Sequence, residues 1–298
     1  MLESKPTLYL SSFPSLKYLL GRLTFSFAKK LKEGNIPNSL PRLEYIIDDV
    51  RPDQDKLAIF NNVTHWNFNE DLVHPCFLYT TAFPLQIALM LLPDFPFPIF
   101  GLIHIRNKIT QYRSIRLNER LQFRCKFAEL NRHLKGWEFS IKVRVYSGPE
   151  LVWESLSTNL YISNKTNYSN NHITSSLESL SYGALQLKSN IGRKYARCSG
   201  DYNLIHLNKW FAKLFGFKVH IAHGMWSKSW CISTLHLKHP SFFERAFSVD
   251  VSFKSPLYLP NKINLFVDKA DVELNKNLRF IVEGINSKKH LLGVLELL

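Results

Sequence analysis

The chain has few cysteines, and they do not pair. Cys76, Cys125, Cys198 and Cys231 are scattered through 298 residues with no Cys-x-x-Cys among them, which excludes a zinc ribbon and offers no disulfide framework. A reduced, intracellular and cytoplasmic setting is expected. Acidic residues are scarce too: 24 Asp and Glu stand against 38 Lys and Arg, a net charge of +14. That excess points to an anionic partner without saying which. Nucleic acid ranks last, because the basic residues are dispersed and no recognition motif accompanies them. A secretory leader is not expected: Glu3 precedes the first basic residue, and Pro6, Pro14 and Lys17 interrupt the apolar run. The longest uncharged stretch, Leu72 to Pro93, carries His74, Pro75, Pro84 and Gln86 and runs straight into Asp94, so it reads as buried chain rather than a membrane span. With no export leader expected, Asn164-Lys-Thr and Asn167-Tyr-Ser are read as chance matches to the glycosylation pattern.

What is present is apolar and aromatic. At 45% hydrophobic and 13% aromatic residues, the chain can fill one large core or two ordinary ones. Residues 1–40 form a basic extension in which Ser15 to Lys32 reads as an amphipathic helix. Its alternatives are attachment to an anionic membrane surface or packing on the protein's own body, and the second is preferred. Period-two apolar residues in Leu43–Val50 and Leu57–Trp66 suggest short strands or a strand plus a turn. A buried helix is expected over Ala82–Leu92, with Pro84 in its first turn. Strands then follow at Ile103–Ile109, Arg120–Leu130, Trp137–Tyr146 and Val152–Ile162, separated by turn-forming residues.

The Asn- and Ser-rich stretch 164–181 reads as a linker. Beyond it the plan recurs: a buried helix over Met225–Leu237, then strands at Ala246–Phe253, Asn261–Leu274, Leu278–Asn286 and Leu291–Leu298. Residues 41–163 and 182–298 are therefore read as two copies of one fold, in the manner of a fused dimer.

Only the second copy carries a polar motif. Ser199-Gly-Asp-Tyr-Asn203-Leu-Ile-His206 places a carboxylate and an imidazole in one turn, and Ile221-Ala-His-Gly224-Met opens the buried helix with a glycine amide. A helix start of that kind is suited to holding negative charge on an oxygen. Taken alone, an Asp and a His in a turn are most often a cap and a surface residue. Cys198 lacks the positioned partners of a nucleophile. Trp210, Phe211, Leu214, Phe215 and Phe217 read as the apolar face of a helix rather than a binding box.

Together, Ser199-Gly-Asp201-x-Asn203-x-x-His206, Gly216-Phe217 and Ile221-Ala-His-Gly224-Met closely resemble the signature of the MaoC-like (R)-specific enoyl-thioester hydratases and 3-hydroxyacyl dehydratases. Leu204 stands where that family usually has proline. The resemblance implies an α+β double hotdog fold: two antiparallel sheets, each wrapping a central helix, side by side. It implies Asp201 and His206 as the water-activating pair, and Gly224 as the donor to the thioester carbonyl. Asn203 and Ser199 would hold the turn on the substrate side, with His223 outside the pair. It further implies no metal or redox cofactor, a coenzyme A or acyl-carrier-protein thioester as substrate, and a monomeric or homodimeric scaffold. The first copy, with His74-Pro-Cys in the matching place, would be catalytically silent and offer an acyl slot lined by Phe83, Leu85, Ile87, Leu89 and Met90, unless these are plain core. A non-catalytic acyl-binding or assembly protein and a thioesterase remain as alternatives on the same fold.

Overall fold

A computed structural model describes residues 6–26, 39–68, 71–163, 178–274 and 277–298. In chain order the elements are β1 (Thr7–Tyr9), α1 (Leu16–Ser26), β2 (Glu44–Val50), α2 (Gln54–Thr64), α3 (Phe77–Met90), β3 (Ile103–Gln111), β4 (Leu121–His133), β5 (Gly136–Ser147) and β6 (Glu150–Ile162). The second half holds β7 (Ser179–Leu187), α4 (Ile191–Ser199), α5 (Leu204–Leu207), α6 (Lys209–Leu214), α7 (Gly224–Lys238), β8 (Phe247–Phe253), β9 (Asn261–Asp268), α8 (Lys269–Leu274), β10 (Asn277–Glu283) and β11 (Lys289–Leu297).

The strands form one sheet in the order β1-β2-β4-β5-β6-β3-β8-β11-β10-β9-β7. Leaving out β1, that order reads alike outward from the β3/β8 junction, each half being a hairpin meander whose first strand lies at the far edge. Pairing is antiparallel apart from β1 on β2. The expected double hotdog is present, with the two sheets hydrogen-bonded into a single one where Ile109 faces Val249. Within each strand the pleat sorts the residues: Leu121, Phe123, Cys125 and Phe127 of β4 are buried, and the polar residues between them are less so. Helices α3 and α7 fill the concave sides, and α7 is buried on nearly every face.

A buried cation fastens the two halves. Lys228, on the sheet-facing side of α7, is fully inaccessible, and its Nζ donates to the Asn107 backbone oxygen (2.9 Å), Asn107 Oδ1 (2.6 Å) and the Val249 backbone oxygen (2.9 Å). Three acceptors from β3 and β8 thus replace its water, as a buried ammonium requires. Burial still lowers its pKa, to about 8.

Several local expectations are corrected. Residues 57–66 lie mostly in helix α2 rather than a strand, because Asp53 caps the Lys56 amide and Leu57, Phe60, Val63 and Thr64 recur at helical spacing toward the core. Helix α3 starts at Phe77, which moves Pro84 into its interior. The strand expected to run to Leu274 stops at Asp268, whose Oδ1 accepts the Ala270 amide and starts α8. Strand β7 begins at Ser179, inside the stretch read as linker, whose residues 164–177 lie outside the described ones. In the extension, α1 covers the described part of the expected helix, residues 27–32 lying outside it. Leu19 is buried against the protein's own core, and β1 pairs with β2. Finally, the apolar face carried by Trp210, Phe211, Leu214 and Phe215 is turned to solvent; these residues are 64%, 43%, 80% and 37% exposed. No described helix is long and apolar enough to cross a membrane.

Candidate active site

The motif loop is shaped by its own side chains. Helix α4 ends at Gly200 in the left-handed conformation, and three bonds of one kind follow, each from a backbone amide to the side chain two residues earlier. The Asp201 amide donates to Ser199 Oγ (3.2 Å), the Asn203 amide to Asp201 Oδ1 (3.1 Å) and the Ile205 amide to Asn203 Oδ1 (3.3 Å). These are the local turns that Ser, Asp and Asn favour. Asn203 is thereby the N-cap of α5, and Leu204 takes the first helical position, the place where proline is best tolerated. The loop is held without it.

The short helix carries His206 inward. Its Nδ1 lies 2.9 Å from the Ile221 backbone oxygen; a carbonyl can only accept, so Nδ1 carries the proton and Nε2 is left as the basic nitrogen. Burial lowers the pKa of His206 while the Asp201 charge opposes that fall, so the ring is neutral at pH 7. Close approach beneath it depends on Gly192 of α4, where a Cβ would sit 2.2 Å from the His206 backbone oxygen.

His223 completes the group. Its Nε2 donates to the Asp201 backbone oxygen at 3.0 Å and lies 3.8 Å from Oδ2 of that carboxylate, while its Nδ1 is buried without a partner. The His206 and His223 rings stack at 3.8 Å. His223 also ends the loop, and Gly224 begins α7 with no side-chain cap on its first turn. That amide is available to the cavity. A Cβ on Gly224 would lie 2.9 to 3.1 Å from the Phe253 ring, so the ring packs directly on the bare backbone. Cys198 is no nucleophile: it is buried, its thiol donates to the Tyr195 carbonyl, and burial pushes its pKa up to about 12.

Asp201, His206 and His223 have side-chain ligand atoms all within 4.8 Å of one another. Two neutral imidazoles and a carboxylate are metal-binding types. His223 Nε2 is committed to the Asp201 backbone oxygen, however, and a spread of up to 4.8 Å exceeds the roughly 3.4 Å between neighbours in a tetrahedral zinc shell.

All five sequence-derived residues, Ser199, Asp201, Asn203, His206 and Gly224, line one large cavity of about 1980 Å³. Ser199 and Asn203 spend their oxygens on the loop, so they shape the wall rather than reach across it. The cavity continues along α3, where Phe83, Ile87 and Met90 line it; Leu85 and Leu89 are fully buried core on the other face. Tyr79, His104 and Phe253 were not anticipated from sequence. The His104 ring stacks on Tyr79 at 6.0 Å and meets Phe253 at 5.1 Å, and its Nε2 is buried without a partner. They lie well away from the motif in sequence, and only the β3/β8 junction brings them to it. In the matching place of the first half, His65 to Cys76 is a shorter connection, and His74 there is wholly buried, its Nδ1 accepting the Cys76 amide and its Nε2 lying near the Ser229 carbonyl and Ser233 Oγ of α7.

Comparison with known proteins agrees with this layout. The family described as MaoC like domain matches residues 180–290, which hold the whole loop, α7 and strands β8 to β10. The C-terminal hotdog is a MaoC-like domain. Beyond it, the chain is 28% identical over 253 residues to 3-hydroxyacyl-thioester dehydratase X of Mycobacterium tuberculosis, covering 83% of this chain and 88% of that protein. The crystal structure of HtdX from the same organism superposes with a TM-score of 0.73 at 25% identity, covering 86% of this chain and all of that one. A further Mycobacterium tuberculosis protein described as having a double hotdog fold superposes at 0.57 with 10% identity over 85% of this chain and 95% of that one; it speaks for the fold alone. The similarity to the dehydratase thus extends through both hotdogs, beyond the MaoC-like domain.

Proposed function

We propose that the protein is a hydro-lyase that dehydrates (3R)-3-hydroxyacyl thioesters and, in reverse, hydrates trans-2-enoyl thioesters in fatty acid metabolism. The similarity to a 3-hydroxyacyl-thioester dehydratase over most of both chains supports the reaction class. The observation that carries the chemistry is the protonation of His206: with Nδ1–H committed to the Ile221 carbonyl, Nε2 is a free base beside the Asp201 carboxylate in an apolar cavity.

In the hydration direction, water held between Asp201 and His206 Nε2 loses a proton to the imidazole as its oxygen bonds to C3. The electron pair of the double bond moves toward the thioester carbonyl, whose oxygen takes the Gly224 N–H. The proton then returns to C2, so one water supplies both the hydroxyl and the hydrogen. The Gly224 amide is worth most in this direction of charge flow, because it meets the oxygen where negative charge develops and little water competes. Asp201 keeps the imidazolium stable while it exists, and His223 holds the Asp201 backbone. Delivery from a fixed side is what the (3R) configuration requires.

The acyl chain lies along α3 against Phe83, Ile87 and Met90, which gives the silent half its use. Exposed Arg197 and Lys254 stand at the rim of the cavity, suited to the phosphates of coenzyme A or of a carrier-protein pantetheine arm.

The test is crotonyl-thioester hydration followed by loss of the enoyl absorbance. Asp201→Asn and His206→Ala should each lower kcat/KM by about 10²–10⁴-fold with the circular dichroism spectrum unchanged. Undiminished turnover by either variant refutes the assignment. No turnover by the native protein at any chain length points to an acyl-binding protein, and release of free thiol without hydroxyacyl product points to a thioesterase.

A further inference from the structure

Helix α6 is inside out. At 100° per residue, Trp210, Phe211, Leu214 and Phe215 share one side, and Ala212, the one buried residue of α6, lies on the other. The small side chain thus packs on the protein and the large apolar ones point to water. Tyr202 and Leu204, 42% and 40% exposed, extend the patch. Contiguous exposed apolar surface of this kind marks an interaction site.

Two further features say what kind. The first is charge. Lys209, Lys213 and Lys218 are exposed around the patch, no ion pair engages them among the described residues, and no acidic residue occurs from Tyr202 to Phe243. Lys209 and Lys213 each place Nζ 5.2 Å from the Trp210 ring. A tryptophan flanked by lysines, with leucine and phenylalanine protruding beyond them, matches the layering of a lipid interface, where rings sit at head-group depth and lysine stems reach back to phosphates. The second is position. Tyr202, Leu204, Phe217 and Phe100 line the cavity, and Phe100 stacks on Phe215 at 6.3 Å. The patch thus runs on into the wall of the cavity that would take an apolar chain.

We propose that α6 docks the protein on an anionic lipid surface. Phe211, Leu214 and Phe215 insert among the acyl chains, Trp210 sits at head-group depth beside Lys209 and Lys213, Lys218 meets the head groups, and the cavity opens toward the membrane. The contact is independent of the chemistry at Asp201 and His206 and is read without turnover, so failure of one leaves the other standing.

Full-length protein is mixed with vesicles of phosphatidylcholine alone or with phosphatidylglycerol added, and flotation and tryptophan emission are recorded. Trp210 is the one tryptophan among the exposed large apolar residues, so its emission reports the patch. The expected result is co-flotation with the anionic vesicles only, weakened by salt, with a blue shift that brominated lipid quenches. Lys213→Glu and Leu214→Glu should each reduce partitioning at least about tenfold, while hydration of a short soluble thioester is unchanged, since neither residue lines the cavity. The proposal is overturned if native protein ignores anionic vesicles, or if both variants bind as well as native. It is equally overturned if Leu214→Glu instead abolishes a dimer or the binding of an acidic carrier protein with no vesicle binding to lose.

Discussion

Acid should destabilise this protein steeply, and His74 allows the effect to be worked out for one residue. The ring is fully buried, with its Nδ1 accepting the Cys76 amide and its Nε2 near the Ser229 carbonyl and Ser233 Oγ of α7. Burial lowers its pKa from 6.5 to about 3. The folded form therefore stays neutral where the unfolded chain takes up a proton. Stability contributed this way is complete above the unfolded value and is lost as pH falls below it. Between about pH 7.5 and about pH 5.5, the unfolded imidazole goes from one-tenth to nine-tenths protonated and the folded one stays empty. That costs roughly 1.4 kcal/mol for this one residue. His104, His206, His223, His236 and His290 are also lowered by burial, so the whole protein should lose more. The assay is urea unfolding at both pH values for native protein and His74→Gln. The variant should be less stable at the higher pH by about 1–3 kcal/mol, for the partners left unbonded. Its loss on acidification should be smaller than native by about 1.4 kcal/mol. Equal losses in the two proteins would refute the reasoning, because His74 would then titrate alike folded and unfolded.

Gly224→Ala, which must displace the Phe253 ring beside the amide proposed to hold the thioester carbonyl, should cut kcat/KM for enoyl-thioester hydration by about 10²-fold; activity within twofold of native, on about the same scale of assay error, counts against that close fit. The acid limb of the kcat/KM profile should fall below pH 6.5, because burial lowers the pKa of His206 and the neutral ring is the active form; a limb above that value contradicts a neutral base. Lys228→Met strands the Asn107 and Val249 acceptors at the β3/β8 junction and should lower unfolding stability by at least about 1–3 kcal/mol, with a midpoint unchanged in urea as the adverse result. Arg197→Glu combined with Lys254→Glu should raise KM for coenzyme A substrates and flatten its dependence on salt while leaving kcat near native; an unchanged KM removes both from phosphate recognition.

Much of the architecture was legible because its signals are local. Period-two alternation located β3 to β6 within a few residues, and prolines, glycines and the Asn/Ser-rich stretch marked the ends of elements. Where local signals conflict, the reading slipped: Leu57 to Trp66 alternates like a strand, but Asp53 caps a helix there and the core accepts its helical face. For α6 the apolar spacing marks one shared face and leaves open which way that face turns. Periodicity records which residues share a side; it carries no information on which side meets the protein.

The sequence alone determined the double fold, the loop from Ser199 to His206 and the glycine that opens α7, because each depends on hydrogen bonds or pleats spanning a few residues. Only the tertiary structure decided that His206 is protonated on Nδ1, that Tyr79 and His104 of the first half face the second half's loop, and that Lys228 ties the two together. Those outcomes depend on contacts between residues far apart in the chain, brought together at a junction of β3 with β8 that no short-range pattern encodes.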